Sequence, residues 1–256
     1  MKGMIFAAGL GTRLKPFTLS HPKALVPLCG TPMLERVILK MKESGINDIT
    51  VNVHHFSGQI TEFLKSHDNF GVEIHISDES GQLLDTGGGV LYASRFLAGS
   101  EPVLVHNADI FTDFDLGEMS RQHAATGSDA TLLAEFRETS RYLFFNDERR
   151  LEGWGNICSG ETRPEGFDMH AAGLHPLAFG GVHIINPSSI LKALEEYGSA
   201  GEVFGIIPFY VSNCHRLNIQ SFSPAGEHRW FDIGKPENIT RAEAELARQA
   251  ANPEQR

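Results

Sequence analysis

A glycine loop follows the first apolar run of the chain, Met4-Ile5-Phe6-Ala7-Ala8, and reads Gly9-Leu10-Gly11-Thr12-Arg13-Leu14-Lys15-Pro16. Glycines there let main-chain N–H groups approach phosphate oxygens closely, and open α/β sheets bind ligands where their strands end. Two common phosphate loops are excluded by the residues themselves. A dinucleotide-binding Gly-x-Gly-x-x-Gly needs glycine where Leu14 stands, and an acid after the second strand, which ends Val53-His54-His55. A Walker loop needs Gly-Lys-Ser/Thr, which the chain lacks. What remains is a longer element, from Gly9 to Lys23, that carries two cations, Arg13 and Lys23. Arginine offers phosphate a planar fork and lysine a compact charge. Phosphoryl-type transfer normally uses Mg²⁺, which prefers one or two carboxylates plus phosphate oxygens and water. Asp109, at the carboxyl end of an apolar Val103–Val105 strand, is the first carboxylate suited to it.

The run from Gly9 to Lys23, in which Gly-x-Gly-Thr-Arg leads through Pro16 and Thr18 to Pro22-Lys23, resembles the signature of the sugar-1-phosphate nucleotidylyltransferases. The resemblance implies two catalytic residues, Arg13 on the departing pyrophosphate and Lys23 against the transferring phosphoryl group. It places Ala7, Ala8, Gly9, Gly11 and Thr12 around the nucleotide. It also implies that Gly87 and Gly88 hold the nucleobase. The form Leu84-Asp85-Thr86-Gly87-Gly88-Gly89 looks most like the N-acetylmuramate-1-phosphate uridylyltransferase branch.

Trp230-Phe231-Asp232-Ile233-Gly234-Lys235-Pro236 is similar to the family's Trp-x-Asp-x-Gly-Thr-Pro segment, with Lys235 in place of Thr. Ala108-Asp109 stands where the family usually has Gly-Asp. Asp109 and Asp232 are therefore expected to share one Mg²⁺. The family's Glu-Lys-Pro sugar motif is missing between Leu151 and Phe179, where Gly153-Trp154-Gly155-Asn156 stands instead. Asn156, and Gly181 of Phe179-Gly180-Gly181-Val182, are taken as the sugar contacts.

Other chemistries compete for single residues. Asp113-Phe114-Asp115 has the form of a glycosyltransferase Asp-x-Asp metal site, but Asp115 also suits the N-cap of a helix from Leu116 to Gln122. Such an enzyme has no use for the Arg13 and Lys23 spacing. His54-His55 is not a metal pair if both lie on a strand, because adjacent residues there point to opposite faces. A catalytically silent nucleotide-sugar sensor could lose Lys23 or a metal ligand without losing its base pocket, so retention of all four charged residues favours an enzyme.

The elements that must position these residues alternate. Strands are expected at Met4–Ala7, Ile49–Val53, Val72–Ile76 and Val103–Val105. Helices are expected from Met33 to Met41 with Thr31 as cap, from Ser57 through Leu64, and around Val90–Phe96 after the glycine run. This βαβα order predicts a Rossmann-like, doubly wound, three-layer α/β/α fold with a mixed, mainly parallel sheet. Beyond Asp129 the alternation loosens, with strands at Ala130–Phe136, Arg141–Phe145 and Ala178–Ile185 and helices at Pro187–Glu196 and Pro236–Gln249. One nucleotidyltransferase domain is expected over 1–256. Its nucleotide-binding half is about 1–128, its sugar-binding half about 129–235, and a C-terminal helix covers about 236–249 before a frayed end. No appended module is expected.

A net charge of −10 argues against broad nucleic-acid or anionic-membrane surfaces. Cys29, Cys158 and Cys214, odd in number and far apart, fit neither a disulfide framework nor a zinc site and suggest the cytoplasm. No run of apolar residues is long enough for a membrane span. The expected partners are a nucleoside triphosphate, UTP favoured, and an amino or N-acetyl sugar 1-phosphate. GTP with mannose or heptose 1-phosphate is the alternative, and the expected state is a monomer or small homo-oligomer.

Overall fold

The computed structural model describes residues 1–251. Its first half contains β1 (Lys2–Phe6), β2 (Pro27–Leu28), β3 (Thr31–Pro32), α1 (Met33–Glu43), β4 (Asp48–Val53), α2 (Ser57–Ser66), β5 (Glu73–Asp78), α3 (Asp85–Tyr92), α4 (Ser94–Leu97), β6 (Val103–Asn107), β7 (Ile110–Thr112) and α5 (Leu116–Thr126). Its second half contains β8 (Ala130–Glu135), β9 (Arg141–Phe145), β10 (Leu151–Asn156), β11 (Thr162–Arg163), β12 (His175–Ile185), α6 (Pro187–Tyr197), α7 (Ile206–Asn213), β13 (Ile219–Phe222), β14 (Trp230–Asp232) and α8 (Pro236–Ala251). The frayed end expected after Gln249 falls largely outside the described residues.

One ten-stranded sheet runs β11-β10-β9-β12-β6-β1-β4-β5, with β8 against β12 and β13 against β8. The strands β6, β1, β4 and β5 are parallel, whereas β12 enters antiparallel to β6 and the second half continues antiparallel except for the β8–β13 pair. The fold is the Rossmann-like α/β class with a mixed sheet. Central strands are buried on both faces, which is why they read as unbroken apolar runs. Met4 and Val105 face a core shared with α3, α6 and α7, and Ile5 and Leu104 face one shared with α1, α2 and α5. A smaller cluster packs Leu14, Val26 and Leu28 against Phe231 and Ile233 below α8, and so fastens the glycine loop to the end of the second half.

Several expectations are corrected. Thr31 does not cap α1; it pairs with Leu28 in the β2–β3 ladder, and Pro32 occupies the cap position. The glycine run lies inside α3 rather than before it. Neither β10 nor α7 was expected. Glycines at 153 and 155 break the strand signal of β10, and α7 is apolar on nearly every side, so no 3.6-residue period shows.

Candidate active site

The loop after β1 folds back on itself. Gly11 has φ +63°, a conformation glycine adopts without penalty, and its carbonyl accepts from Thr18 Oγ1 at 2.8 Å. A methyl group on Gly11 would lie 2.9 Å from Lys23 Cβ, so the close return that seats Lys23 under the loop requires glycine. The start of the loop is anchored from below. Asn52, buried on β4, accepts from the N–H of Ala7 at 2.7 Å and of Ala8 at 3.3 Å. Its Nδ2 donates to Glu79 Oε1 at 2.8 Å, and Glu79 Oε2 accepts from the Leu84 N–H at 3.2 Å. Burial raises the pKa of Glu79, and its bonds to Asn52 and Leu84 oppose that shift. One chain of hydrogen bonds thus ties the glycine loop to the start of α3. Above it lies a cavity of about 430 Å³ walled by Ala7, Ala8, Gly9, Lys23, Asn52 and Thr86 among others.

Asp109 follows β6 directly, and Asp232 ends β14, which pairs antiparallel with β7 so that Asp232 lies opposite Ile110. The Ile233 N–H donates to the Asp109 carbonyl at 2.8 Å, which keeps the two backbones side by side. Lys23 Nζ donates to Asp109 Oδ2. A methyl group placed on Gly234 would sit 2.7 Å from Asp232 Oδ1, 3.2 Å from Lys23 Nζ and 3.3 Å from Arg13 Nη2. Four charged groups, drawn from positions 13, 23, 109 and 232, therefore converge. A second cavity, of about 800 Å³, opens on the other side of this cluster and is reached by Asp109, Asp232, Lys235, Asn156 and Gly181. Asn107 and Asp109 belong to the walls of both cavities. Asp109 borders both cavities and Asp232 the larger one, and carboxylate oxygens are the hard donors that would suit Mg²⁺.

Residues 2–145 match the nucleotidyl transferase family. The chain belongs to that family. An N-acetylmuramate alpha-1-phosphate uridylyltransferase of Caulobacter vibrioides is 30% identical over 95% of this family member and 96% of its own length. A mannose-1-phosphate guanyltransferase of Hypocrea jecorina is 29% identical over 93% of the chain, which spans 62% of that relative's length. Among solved structures, one described as a glucose-1-phosphate thymidylyltransferase of Bacillus anthracis superimposes with a TM-score of 0.77 at 21% identity, covering 97% of this chain and 95% of its own. That likeness establishes the shared fold.

In this family member the glycine run packs against a distant segment. The N–H groups of Gly87 and Gly88 both donate to the Phe204 carbonyl, at 2.9 and 3.0 Å. Both glycines are buried, and a methyl group on Gly88 would collide with the Glu202 carbonyl. Glycine is required there by the approach of segment 202–204, and Leu83, Asp85 and Thr86 beside it line the cavity. Thr12 is exposed, and Arg13 reaches the cluster from the rim of its loop.

Asp115 caps α5 through the Gly117 N–H at 2.8 Å, and Asp113 accepts from the Arg229 N–H and Nε, both at 2.7 Å. The Asp-x-Asp pair is thereby committed to structure. β4 ends at Val53, so His54 and His55 lie in the turn beyond it, where His54 Nδ1 is 2.6 Å from the Glu79 carbonyl. A further group of possible metal ligands, Asp48, Glu73 and His75, sits at the amino ends of β4 and β5. That is the end of the sheet opposite the glycine loop, with Lys2 Nζ 3.7 Å from Asp48 Oδ2. No helix among the described residues is long and apolar enough to cross a membrane. Sequence reasoning missed Asn52 and Glu79, although a lone amide inside the apolar strand Ile49-Thr50-Val51-Asn52-Val53 was the available signal.

Proposed function

We propose that the chain joins a sugar 1-phosphate to a nucleoside triphosphate, giving a nucleotide sugar and pyrophosphate. The observation that carries this reading is the convergence of Arg13, Lys23, Asp109 and Asp232 where two cavities meet. In this reading the nucleotide occupies the cavity of the first half, residues 1–128, and the sugar that of the second, residues 129–235. An oxygen of the sugar phosphate attacks the α-phosphorus from one side, the bond to the β-phosphate breaks on the other, and no proton need move. Lys23 neutralises charge on the transferring phosphoryl group, and Arg13 takes the pyrophosphate in its fork. Asp109 and Asp232 would hold Mg²⁺, which supplies charge neutralisation at the phosphates. Ala7, Ala8, Gly9, Gly11 and Thr12 border the triphosphate, and Asn156 and Gly181 border the sugar.

UTP with an amino or N-acetyl sugar 1-phosphate is the favoured pair, supported by the Asp85-Thr86-Gly87-Gly88-Gly89 form and by likeness to the Caulobacter uridylyltransferase along nearly its full length. A comparable identity to a mannose-1-phosphate guanyltransferase supports GTP with mannose 1-phosphate as the second reading. The cytoplasm suits three cysteines that are all unpaired. A matrix of UTP, GTP, dTTP and ATP against mannose, glucose, N-acetylglucosamine and N-acetylmuramate 1-phosphates, read by pyrophosphate release, tests the proposal. UTP should lead. A lead of about tenfold or more for GTP across the sugars would exchange the two readings, and silence in every well would leave a nucleotide-sugar sensor.

A further inference from the structure

The second cavity must bind a phosphate if the proposed reaction is right, yet there is no lysine between Lys65 and Lys192 to bind it. We infer that Arg137 holds the phosphate of the acceptor sugar; this assignment rests on the function proposed above and names a residue for one of its steps.

Arg137 lies just beyond β8 and is built into the cavity wall. Its guanidinium carbon is 3.6 Å from the ring centroid of Trp230, and that indole is itself fixed by a 2.8 Å bond from Nε1 to the Gly180 carbonyl. One arm of the fork, Nη2, donates to the carbonyls of Ala178 at 3.0 Å and Phe179 at 2.8 Å. These contacts fix the plane of the guanidinium. Its charge, however, is not answered. Nε is buried without a partner, and no ion pair among the described residues includes Arg137. The nearby Glu135 is taken by His228 at 2.6 Å. Burial lowers the arginine's pKa, with Glu135 and Asp232 acting against that shift through space. A half-buried cation held in one plane, with no counter-ion and with Nη1 free of protein hydrogen bonds among the described residues, is suited to hold an oxyanion through a charge-assisted hydrogen bond.

Its place is also right. It lines the cavity that Asp109 and Asp232 border, and Trp230, on which it stacks, is two residues from Asp232 on β14. The other arginines of the cavity fit less well. Arg163 pairs with Glu161 at 3.0 Å and is exposed, and Arg141 is exposed at the start of β9. Lys235 is the remaining rival, entering from the base of α8.

The test is calorimetric titration of the full chain with mannose, glucose and N-acetylmuramate 1-phosphates and with the corresponding free sugars. The parent should bind at least one phosphorylated sugar about tenfold more tightly than its free sugar. Arg137→Met, which keeps length and an apolar contact with Trp230, should lose that preference while UTP and GTP affinities change by less than about twofold. Arg137→Lys should keep part of it, and Lys235→Met should keep all of it. A preference that survives in Arg137→Met, vanishes only in Lys235→Met, or is absent from the parent for all three sugars overturns the assignment. Phenylglyoxal labelling of the parent, located by peptide mass spectrometry, requires no variant. The preferred sugar 1-phosphate must protect Arg137 and its free sugar must not. Pyrophosphate release by the parent judges the reaction separately. Release with the preference intact in Arg137→Met removes Arg137 and leaves the reaction, whereas loss of preference without release leaves a sugar-phosphate site and removes the reaction.

Discussion

The two cavities that meet at Asp109 are assembled in different ways. The smaller cavity takes much of its wall from one continuous stretch, the β1 end, the glycine loop and Lys23, and from the carboxyl ends of parallel strands β4 and β6. The larger cavity gathers Arg137 from just beyond β8 and Asn156, Gly181 and Trp230 from β10, β12 and β14, strands that are largely antiparallel and far apart in sequence. A wall made from one loop leaves a spacing in the sequence, because the backbone conformation and the side chains that use it are neighbours. A wall made from four strands leaves none, because pairing register decides which side chains share a face.

The strongest way to break this comparison is to remove the two carboxylates where the cavities meet. Asp109→Ala and Asp232→Ala should each lower turnover by on the order of a thousandfold or more without unfolding the chain, and a chelator should abolish turnover in the parent. Initial rates of pyrophosphate release, with circular dichroism as the fold control, check this. Near-parental activity in either variant would take that carboxylate out of the site.

Lys23→Ala should come next, lowering kcat by about 100-fold to 1,000-fold with a smaller change in KM for the triphosphate. Lys23 pairs with Asp109, so the variant also removes a partner of that carboxylate. A change confined to KM would reduce Lys23 to a substrate contact.

How far the molecule was legible follows the same division. The strand, helix and cap assignments of the first half are close to the structure where period and breakers agree, as at Ser57–Ser66 and at Asp115 before α5. Three things were hidden. The contacts of Gly87 and Gly88 with Phe204 and Glu202 join residues more than a hundred positions apart, and spacing carries no trace of them. Strand β10 was hidden by its own glycines, which Phe167 and Met169 cover closely. The Asn52–Glu79 bond was hidden because each residue is meaningful only beside the other.

That bond sharpens the comparison, since Asn52 lines the smaller cavity and not the larger. Asn52→Leu removes the acceptor of two main-chain N–H groups and the donor to a buried carboxyl, so it should destabilise the fold by about 3 kcal/mol. KM for the triphosphate should rise by about tenfold while affinity for the sugar phosphate stays near the parent value. Denaturant midpoints and paired titrations check both halves of the statement. Equal loss on the two sides would mean that the cavities are not independently supported.

The junction of the halves, where β12 pairs with β6, should be the acid-sensitive part of the fold. Burial pushes the pKa of His106 down to about 4, and that of His183 down to about 3, with the neighbouring His106 adding to the shift. An unfolded chain titrates these groups near the ordinary value of about 6.5. Below that pH the unfolded state takes up protons that the folded state refuses. Stability should therefore be full above about 6.5 and fall as pH drops towards 4 and then 3, by up to about 1.4 kcal/mol per pH unit for each histidine. Urea midpoints across that range check the slope, and His183→Phe should flatten it.

The smallest expected effect separates an acid that resembles a metal ligand from those placed to be one. Asp115 satisfies the Gly117 N–H at the start of α5 and pairs with Arg121 at 3.0 Å, both at the surface. Its role is local, and screening leaves little worth in the exposed ion pair. Asp115→Ala should cost about 1 kcal/mol, the value of a lost helix cap, with kcat and both KM values within about twofold of the parent. Asp109→Ala, only six positions earlier in the same acidic stretch, is expected to do the reverse, leaving stability nearly intact and removing turnover. If Asp115→Ala instead lost activity as Asp109→Ala does, Asp113-Phe114-Asp115 would have to be read again as a metal site, and the convergence around Gly234 would lose its standing as the reaction centre.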